Sequence, residues 1–121
     1  MTIRDYLSEE KTPRREEIDQ MTGPVLVEFG TSWCGYCQAA QRDIVTLLAE
    51  HPGVRHVKVE DGPGRRLGRS FRVKLWPNLV FLQDGAVVRQ LARPSRGEMR
   101  DAFQALAGAS ASSGNPSDRA T

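Results

Sequence analysis

The spacing of apolar residues divides the chain into alternating helices and strands. The apolar run over residues 25–29 is too short for a buried helix and predicts a central strand. Residues 34–50 repeat apolar side chains at helical spacing, and the Pro-Gly pair at 52–53 ends that helix. Alternating valines over residues 54–59 predict a second strand, and residues 65–71 favour a short helix.

The second half of the chain carries the pattern of a hairpin and a closing helix. Apolar runs over residues 78–83 and 86–91 flank an Asp-Gly pair, which is a strong signal for a β-hairpin. The Ser-Arg-Gly-Glu segment at 95–98 fits a capping box and predicts a helix that ends at Gly108. The resulting element order, α-β-α-β-α-β-β-α, implies a single α/β domain with a mixed sheet between helical layers.

The two ends of the chain have weaker patterns. Residues 1–12 carry few apolar side chains and are predicted to form an N-terminal arm, either a loose helix or a frayed segment. The Thr-Pro pair at 12–13 predicts the start of a helix that runs to about Met21. The domain then covers residues 13–108. Residues 109–121 are mostly small or polar and are predicted to be a disordered tail.

Composition and charge exclude several classes of function. The chain has 121 residues and a formal net charge of +2, with acidic and basic side chains interleaved. Because no basic stripe is present, we expect no nucleic-acid partner. No apolar run approaches the roughly 20 residues of a membrane helix, so we expect no membrane span. The first residues hold many charges and no apolar core, which predicts a cytoplasmic protein, or an exported one if a leader was replaced.

Two cysteines, Cys34 and Cys37, stand at the start of the helix that follows the central strand. In a reducing compartment such a pair is more often catalytic or metal-binding than structural. A helix N-terminus offers unpaired N–H groups and a partial positive charge, and both stabilise a thiolate on Cys34. Cys37 lies one turn further in and is expected to stay protonated. Cys34 is then the nucleophile that attacks a disulfide, and Cys37 resolves the mixed disulfide.

Glu28 is an acid inside the apolar strand that leads to the cysteines. Burying a carboxylate is costly unless it has a partner or a task. We therefore interpret Glu28 as the proton acceptor for Cys37, directly or through a water. Two other interpretations stay open, a place on a half-exposed face and an ion pair with Lys58 on the neighbouring strand.

The cysteine segment and its surroundings resemble the thioredoxin family. The resemblance rests on Trp33-Cys-Gly-Tyr-Cys37, on the acid six positions before the first cysteine, and on Pro77, which precedes an apolar strand and Asp-Gly. It covers roughly residues 13–107 and implies the thioredoxin fold, a four-stranded mixed sheet flanked by helices. It also implies a monomeric thiol–disulfide oxidoreductase that takes part in electron transfer and cell redox homeostasis, with no cofactor beyond its own redox-active disulfide.

The same resemblance implies substrate-binding residues and partners. Pro77 is expected in cis and facing the disulfide, and Lys58 is expected to modulate the buried acid. The expected substrates are proteins that contain disulfides, and an upstream reductant such as thioredoxin reductase would restore the dithiol. The implied substrate-binding residues are Trp33, Gly35, Tyr36, Trp76, Pro77 and Ala92.

Several residues depart from the family pattern, and they bear on substrate range and redox poise. The buried acid is Glu28 where thioredoxins usually have Asp, and Gly30 stands where Trp is common. Tyr36 replaces a proline, a feature shared with some exported bacterial disulfide isomerases. A disulfide isomerase or oxidase therefore stays open as an alternative. A non-catalytic binding module, with its groove blocked by Trp76, stays open as well.

A zinc site is the remaining alternative. With His51 and His56, the two cysteines read C-x2-C-x13-H-x4-H, within the spacing of a two-Cys, two-His zinc finger. A finger needs both histidines on one helix, whereas the Pro-Gly pair between them breaks the helix. We therefore expect no metal, and we expect both histidines at the surface.

Overall fold

The computed structural model describes residues 4–113, with side chains described as far as residue 109. A single turn of 3₁₀ helix at Glu9–Lys11 precedes the main elements. These are α1 (Arg15–Asp19), β1 (Pro24–Gly30), α2 (Gly35–Glu50), β2 (Arg55–Glu60), α3 (Arg66–Ser70), β3 (Asn78–Gln83), β4 (Ala86–Ala92) and α4 (Arg96–Ser113). The predicted order of helices and strands is confirmed.

The four strands form one mixed sheet in the order β2-β1-β3-β4. Strand β1 pairs in parallel with β2 and antiparallel with β3, which pairs antiparallel with β4. A parallel pair needs a crossover connection, and α2 supplies it. The antiparallel pair of β3 and β4 is joined by Asp84 and Gly85, whose φ angles are 53° and 81°. The predicted mixed sheet and its Asp-Gly hairpin are therefore confirmed.

Side-chain alternation along the strands sorts the core into two layers, one on each face of the sheet. The odd-numbered residues of β1 pack with α1 and α3. Leu26 packs on the opposite face, with Ile44 of α2 and Phe103 of α4. Glu28 has the same parity as Leu26, so the strand turns its carboxylate toward the layer that contains α2.

Helix α1 begins at Arg15, two residues later than predicted. The Thr12 hydroxyl does not cap it, because it donates to a carbonyl of the preceding turn at 2.7 Å. Arg14 is extended and takes the N-cap position instead, and its N–H donates to the Glu17 carboxylate at 2.9 Å. The helix also ends two residues before Met21.

Helix α4 begins as predicted and extends beyond its predicted end. The Ser95 hydroxyl accepts the Glu98 N–H at 3.2 Å, and the Glu98 carboxylate accepts the Ser95 N–H at 2.9 Å. The helix passes Gly108 because an isolated glycine only weakens a helix, and the Ala and Ser residues that follow can continue it. The prediction of disorder is therefore wrong for residues 109–113, while residues 114–121 lie outside the described part of the chain.

The N-terminal arm is bridged to the sheet at Leu7 and then forms the 3₁₀ turn at Glu9–Lys11, whereas a loose helix or a frayed segment was predicted. Leu7 forms an isolated parallel bridge to β2. Its N–H donates to Lys58 O at 2.8 Å, and its carbonyl accepts the Glu60 N–H at 3.0 Å. This bridge fixes the backbone beside Tyr6 against the edge of the sheet. Residues 1–3 lie outside the described part of the chain.

Candidate active site

Cys34 occupies the N-cap position of α2, at the turn between β1 and the helix. Its backbone is extended there, with φ −77° and ψ 118°, and its Sγ accepts the Cys37 N–H at 3.2 Å. The helix N-terminus thus directs an otherwise unpaired N–H at the sulfur. Cys34 keeps slightly more exposed surface than Cys37, 7% against 1%. Both thiols are free, so the structure shows the dithiol form.

Cys37 lies one turn inside α2, and its environment favours the protonated thiol. Burial disfavours the charged sulfur and raises the Cys37 pKa from 9.0 to about 11, and the hydrogen bond with Cys34 acts in the same direction. Hydrogen bonding with the Thr31 backbone and with Tyr6 acts in the opposite direction, because it favours the charged sulfur. Burial outweighs these donors, so Cys37 needs a base nearby before it can attack at neutral pH.

Glu28 is completely buried, with 0% of its surface exposed, on the face of β1 that turns toward α2. Its Oε1 lies 2.8 Å from His56 Nε2, and its Oε2 accepts a hydrogen bond from Gln41 Nε2 at 2.8 Å. The Tyr6 hydroxyl lies 3.5 Å from the same Oε2. The half-exposed interpretation of Glu28 is therefore wrong.

Lys58 lies beside Glu28 in the parallel pairing of β1 and β2, but Gln41 stands between the two charges. Lys58 Nζ donates to Gln41 Oε1 at 2.8 Å and to Arg4 O at 2.6 Å. Gln41 accepts from Lys58 and donates to Glu28, so the ion-pair interpretation is replaced by an amide bridge. Gln41 was missed from the sequence, although a polar residue four positions after Cys37, in the buried row of α2, is a usable signal.

The two histidines lie in different environments, and the prediction of a surface residue is wrong for His56, whereas His51 is partly exposed at the helix end where it was predicted. The His56 side chain is 10% exposed and contacts Glu28. His51 caps the end of α2, and its ring stacks on Phe103 with the centroids 5.2 Å apart. Alternation along β2 turns His56 and Lys58 to the same face as Glu28. Within residues 4–113, no three His, Cys, Asp or Glu side chains gather as metal ligands would.

Tyr6 is a site residue that the sequence analysis missed. Its hydroxyl donates to Glu28 Oε2, and Lys58 Nζ lies 4.4 Å from the centroid of its ring. Burial and then the Glu28 charge raise the Tyr6 pKa far above 10.0, so the hydroxyl keeps its proton. A Cβ at Gly30 would lie 2.6 Å from Cys37 Sγ and 3.0 Å from the Tyr6 hydroxyl oxygen. The departure from the family pattern at Gly30 therefore makes room for Tyr6.

An exposed aromatic rim lies next to the cysteines. Trp33 and Tyr36 are 73% and 61% exposed. Trp33 meets Trp76 edge to face, with the ring centroids 5.7 Å apart, and Trp76 Nε1 donates to Asp61 Oδ2 at 2.8 Å. Gly35 is also exposed, and a Cβ there would face open space. The rim offers apolar area that a protein substrate can cover.

Arg93 contacts both the segment before β3 and the start of α2. The Trp76–Pro77 peptide bond is cis, and Pro77 lines a shallow groove of about 190 Å³ with Tyr36 and Arg93. The Arg93 N–H donates to Pro77 O and its Nε donates to Trp76 O, both at 2.8 Å. Its guanidinium lies 3.9 Å from the centroid of the Tyr36 ring. The preceding residue, Ala92, was predicted as a substrate contact and is exposed at the end of β4, whereas Arg93 makes these contacts.

Comparisons with known proteins agree with this geometry. A thioredoxin of Aspergillus fumigatus is 30% identical over 64 residues, which are 53% of this chain and 59% of that protein. A thioredoxin of Chlamydia trachomatis is 32% identical over 69 residues, which are 57% of this chain and 68% of that protein. The structure of thioredoxin 2 from Pseudomonas aeruginosa in its reduced form is 52% identical, with a TM-score of 0.78, and the match covers 89% of this chain and 99% of that one.

A mixed sheet of this topology, with a dithiol at the N-terminus of the helix after its central strand, defines the class of thioredoxin-fold thiol–disulfide oxidoreductases. A family model described as thioredoxin matches residues 6–105. The chain therefore belongs to the thioredoxin family. Within the described residues, no helix combines the length and the apolar character needed to cross a membrane.

Proposed function

We propose that this protein reduces protein disulfides by dithiol–disulfide exchange. The main support for this proposal is that the Cys37 N–H donates to Cys34 Sγ at the start of α2, beside an exposed aromatic rim. Cys34 Sγ attacks one sulfur of the substrate, the substrate S–S bond breaks, and a mixed disulfide forms. Cys37 Sγ then attacks Cys34 Sγ and releases the second substrate thiolate, so two electrons pass from the dithiol to the substrate.

Glu28 is the proposed acceptor of the Cys37 proton. A buried thiol with a pKa of about 11 cannot ionise fast at neutral pH without a base, and Glu28 is the buried carboxylate on the same side of the sheet. Lys58 is the proposed modulator of that carboxylate. Its influence passes through Gln41, which contacts both side chains.

The proposed substrate surface has two walls around the cysteines. An extended segment of substrate would lie between the rim at the start of α2 and the segment that precedes β3, where exposed backbone and aromatic area are available. The contact between Arg93 and Tyr36 supports the proposal because it joins the two walls. The proposed contact residues are Trp33, Gly35, Tyr36, Trp76, Pro77, Ala92 and Arg93.

The proposed partners follow the family. Members of the thioredoxin family act on disulfide substrates and are in general reduced again by thioredoxin reductase. We propose the same kind of reductant for this chain, acting on a monomer in the cytoplasm with no cofactor beyond the Cys34–Cys37 disulfide. Regeneration of the dithiol by NADPH and a thioredoxin reductase would test this partner directly.

The test of the function is an insulin-reduction assay of the wild type beside Cys34→Ser and Cys37→Ser. We expect turnover only in the wild type, and a stable mixed disulfide on Cys34 in Cys37→Ser. If wild type and Cys34→Ser are equally inactive, the non-catalytic binding module replaces this proposal. The reduction potential of the couple separates the remaining alternatives, because a reductant lies near about −270 mV and an isomerase near about −180 mV.

A further inference from the structure

We propose that the Tyr6 hydroxyl carries the proton of Cys37 to Glu28, which makes the N-terminal arm part of the catalytic apparatus. This inference deepens the proposed function and rests on it. It replaces the direct or water-mediated transfer expected from the sequence with transfer through a side chain that lies 22 positions from Glu28 in the sequence.

Tyr6 contacts both ends of the transfer. Its hydroxyl lies beside the Cys37 sulfur, since a Cβ at Gly30 would stand 2.6 Å from that sulfur and 3.0 Å from the hydroxyl oxygen. The same hydroxyl donates to Glu28 Oε2 at 3.5 Å. A hydroxyl can accept one proton while it donates another, so one group can link a thiol to a carboxylate. The distance to Oε2 is long for an O–H···O bond and must shorten for transfer. Catalytic hydrogen bonds commonly shorten in this way when the substrate is bound.

The other polar groups around Glu28 have different partners. His56, from β2, contacts Oε1 rather than Oε2. Gln41, from α2, donates to Oε2 but reaches only the backbone carbonyl of Cys37, at 3.0 Å. An amide also lacks a proton that it can readily exchange. Lys58 is held by Gln41 and by a carbonyl of the arm. Tyr6 is therefore the neighbour that links the sulfur to the carboxylate.

Packing holds the Tyr6 hydroxyl at this position. The bridge between Leu7 and β2 fixes the adjacent backbone. Lys58 Nζ lies over the Tyr6 ring, a cation–π contact that opposes rotation of the side chain. The absence of a side chain at Gly30 leaves the space that the hydroxyl and the Cys37 sulfur share.

Proton transfer accompanies the attack of Cys37 on the mixed disulfide. In the mixed disulfide, Cys37 Sγ–H gives its proton to the Tyr6 hydroxyl oxygen as the Tyr6 proton passes to Glu28 Oε2. The Cys37 sulfur bonds to Cys34 Sγ, the bond from Cys34 to the substrate sulfur breaks, and its electron pair leaves with that sulfur. Glu28 ends protonated and Tyr6 ends as a neutral phenol. Because the Tyr6 pKa is raised so far, a free phenolate never has to form.

The test separates the two chemical steps by reaction with a symmetric aromatic disulfide that releases one coloured thiolate at each step. The first release reports attack by Cys34, and the second reports attack by Cys37. Tyr6→Phe removes only the hydroxyl. We expect an unchanged first release and a second release about 100-fold slower at neutral pH, in the range of general acid–base effects. The difference in the second-release rate between wild type and Tyr6→Phe should shrink as pH approaches the Cys37 pKa, because hydroxide can then remove the Cys37 proton directly.

A companion variant distinguishes this inference from the proposed function. Glu28→Gln should slow the second release to a similar extent, and the double variant should be no slower than the slower single variant, because both act on one path. A Tyr6→Phe second release within twofold of wild type, or one slowed equally at every pH, would overturn the relay and leave the proposed function intact. The absence of a second release from the wild type would instead reject the proposed function.

Discussion

Gly30 and Cys37 are packed so closely that a Cβ at position 30 would stand 2.6 Å from Cys37 Sγ. The Cys37 sulfur has little freedom to move, because its short side chain is attached to α2. Gly30→Ala must therefore displace Cys37, the Tyr6 hydroxyl or both. Overpacking of this kind costs roughly 1–3 kcal/mol. We expect Gly30→Ala to lower the free energy of unfolding by that amount in urea denaturation.

Gly35→Ala is the matched control for that prediction. Gly35 belongs to the same cysteine segment, but a Cβ there meets nothing within 4 Å. It is the first residue of α2, where Ala favours the helix over Gly by up to about 1 kcal/mol. Equal stabilities of the two alanine variants would show that the contact at Gly30 carries no energy.

Arg93 joins the two walls of the groove, so its loss should affect substrate reduction more than folding. Arg93→Ala removes the contact with the Tyr36 ring and the hydrogen bond to Trp76 O. We expect kcat/KM for insulin to fall about tenfold, with a loss of stability of about 1 kcal/mol. Arg89→Ala is the control, because Arg89 is exposed and its side chain donates to the adjacent Val88 O at 3.0 Å. Equal kcat/KM values in the two variants would contradict a role for Arg93.

Tyr36 should make this protein a weaker reductant than a Gly-Pro sequence between the cysteines. Tyr36 lies in the first turn of α2, where backbone N–H groups have no partner within the helix and favour a nearby thiolate, and a proline at this position would lack the N–H. We expect Tyr36→Pro to lower the reduction potential by about 30 mV, or about 1.4 kcal/mol for a two-electron couple. Tyr36→Ala keeps the N–H and removes the ring, so it should change the potential less. Titration against glutathione measures both, and a proline variant that is no more reducing would refute the idea.

Gly85 lies in the hairpin turn, directly against the end of α1. Its φ is 81°, and a Cβ there would stand 2.0 Å from Asp19 O. Gly64 has a φ of 78° but no atom within 4 Å of its added Cβ. Gly64→Ala should therefore cost about 1–2 kcal/mol for the left-handed backbone alone, and Gly85→Ala about 3–5 kcal/mol. Thermal unfolding of both variants measures the difference, and equal losses would refute the predicted clash.

The raised Cys37 pKa makes stability depend on pH above neutrality. The folded thiol has a pKa of about 11 against 9.0 for the unfolded one, so between these values the unfolded chain loses its proton first. The contribution of Cys37 is fully present below pH 9.0 and is lost as pH rises through 11. Urea unfolding of the reduced wild type beside Cys37→Ala, across this range, isolates the effect. A stability difference between the two that does not change with pH would contradict it.

Local patterns were sufficient to predict most of the fold and the chemical centre of the site. Alternating valines, the Asp-Gly turn and the capping box at Ser95 each act on residues a few positions apart, so the sequence predicts them directly. The cysteine pair after the central strand indicates a reactive thiol at a helix N-terminus for the same reason. Predictions failed at element ends, where the start of α1 and the end of α4 depend on competing caps and small residues.

The sequence by itself determined the order of elements, the mixed sheet and the identity of the reactive pair. Only the tertiary structure brought Tyr6, Gln41 and His56 to Glu28, because sheet register and helix packing set these contacts, and His56 lies 28 positions away in the sequence. Only the structure showed that the Cys37 thiol and the Tyr6 hydroxyl occupy the space beside Gly30. That space lies between β1, α2 and the N-terminal arm, which are separate segments of the chain.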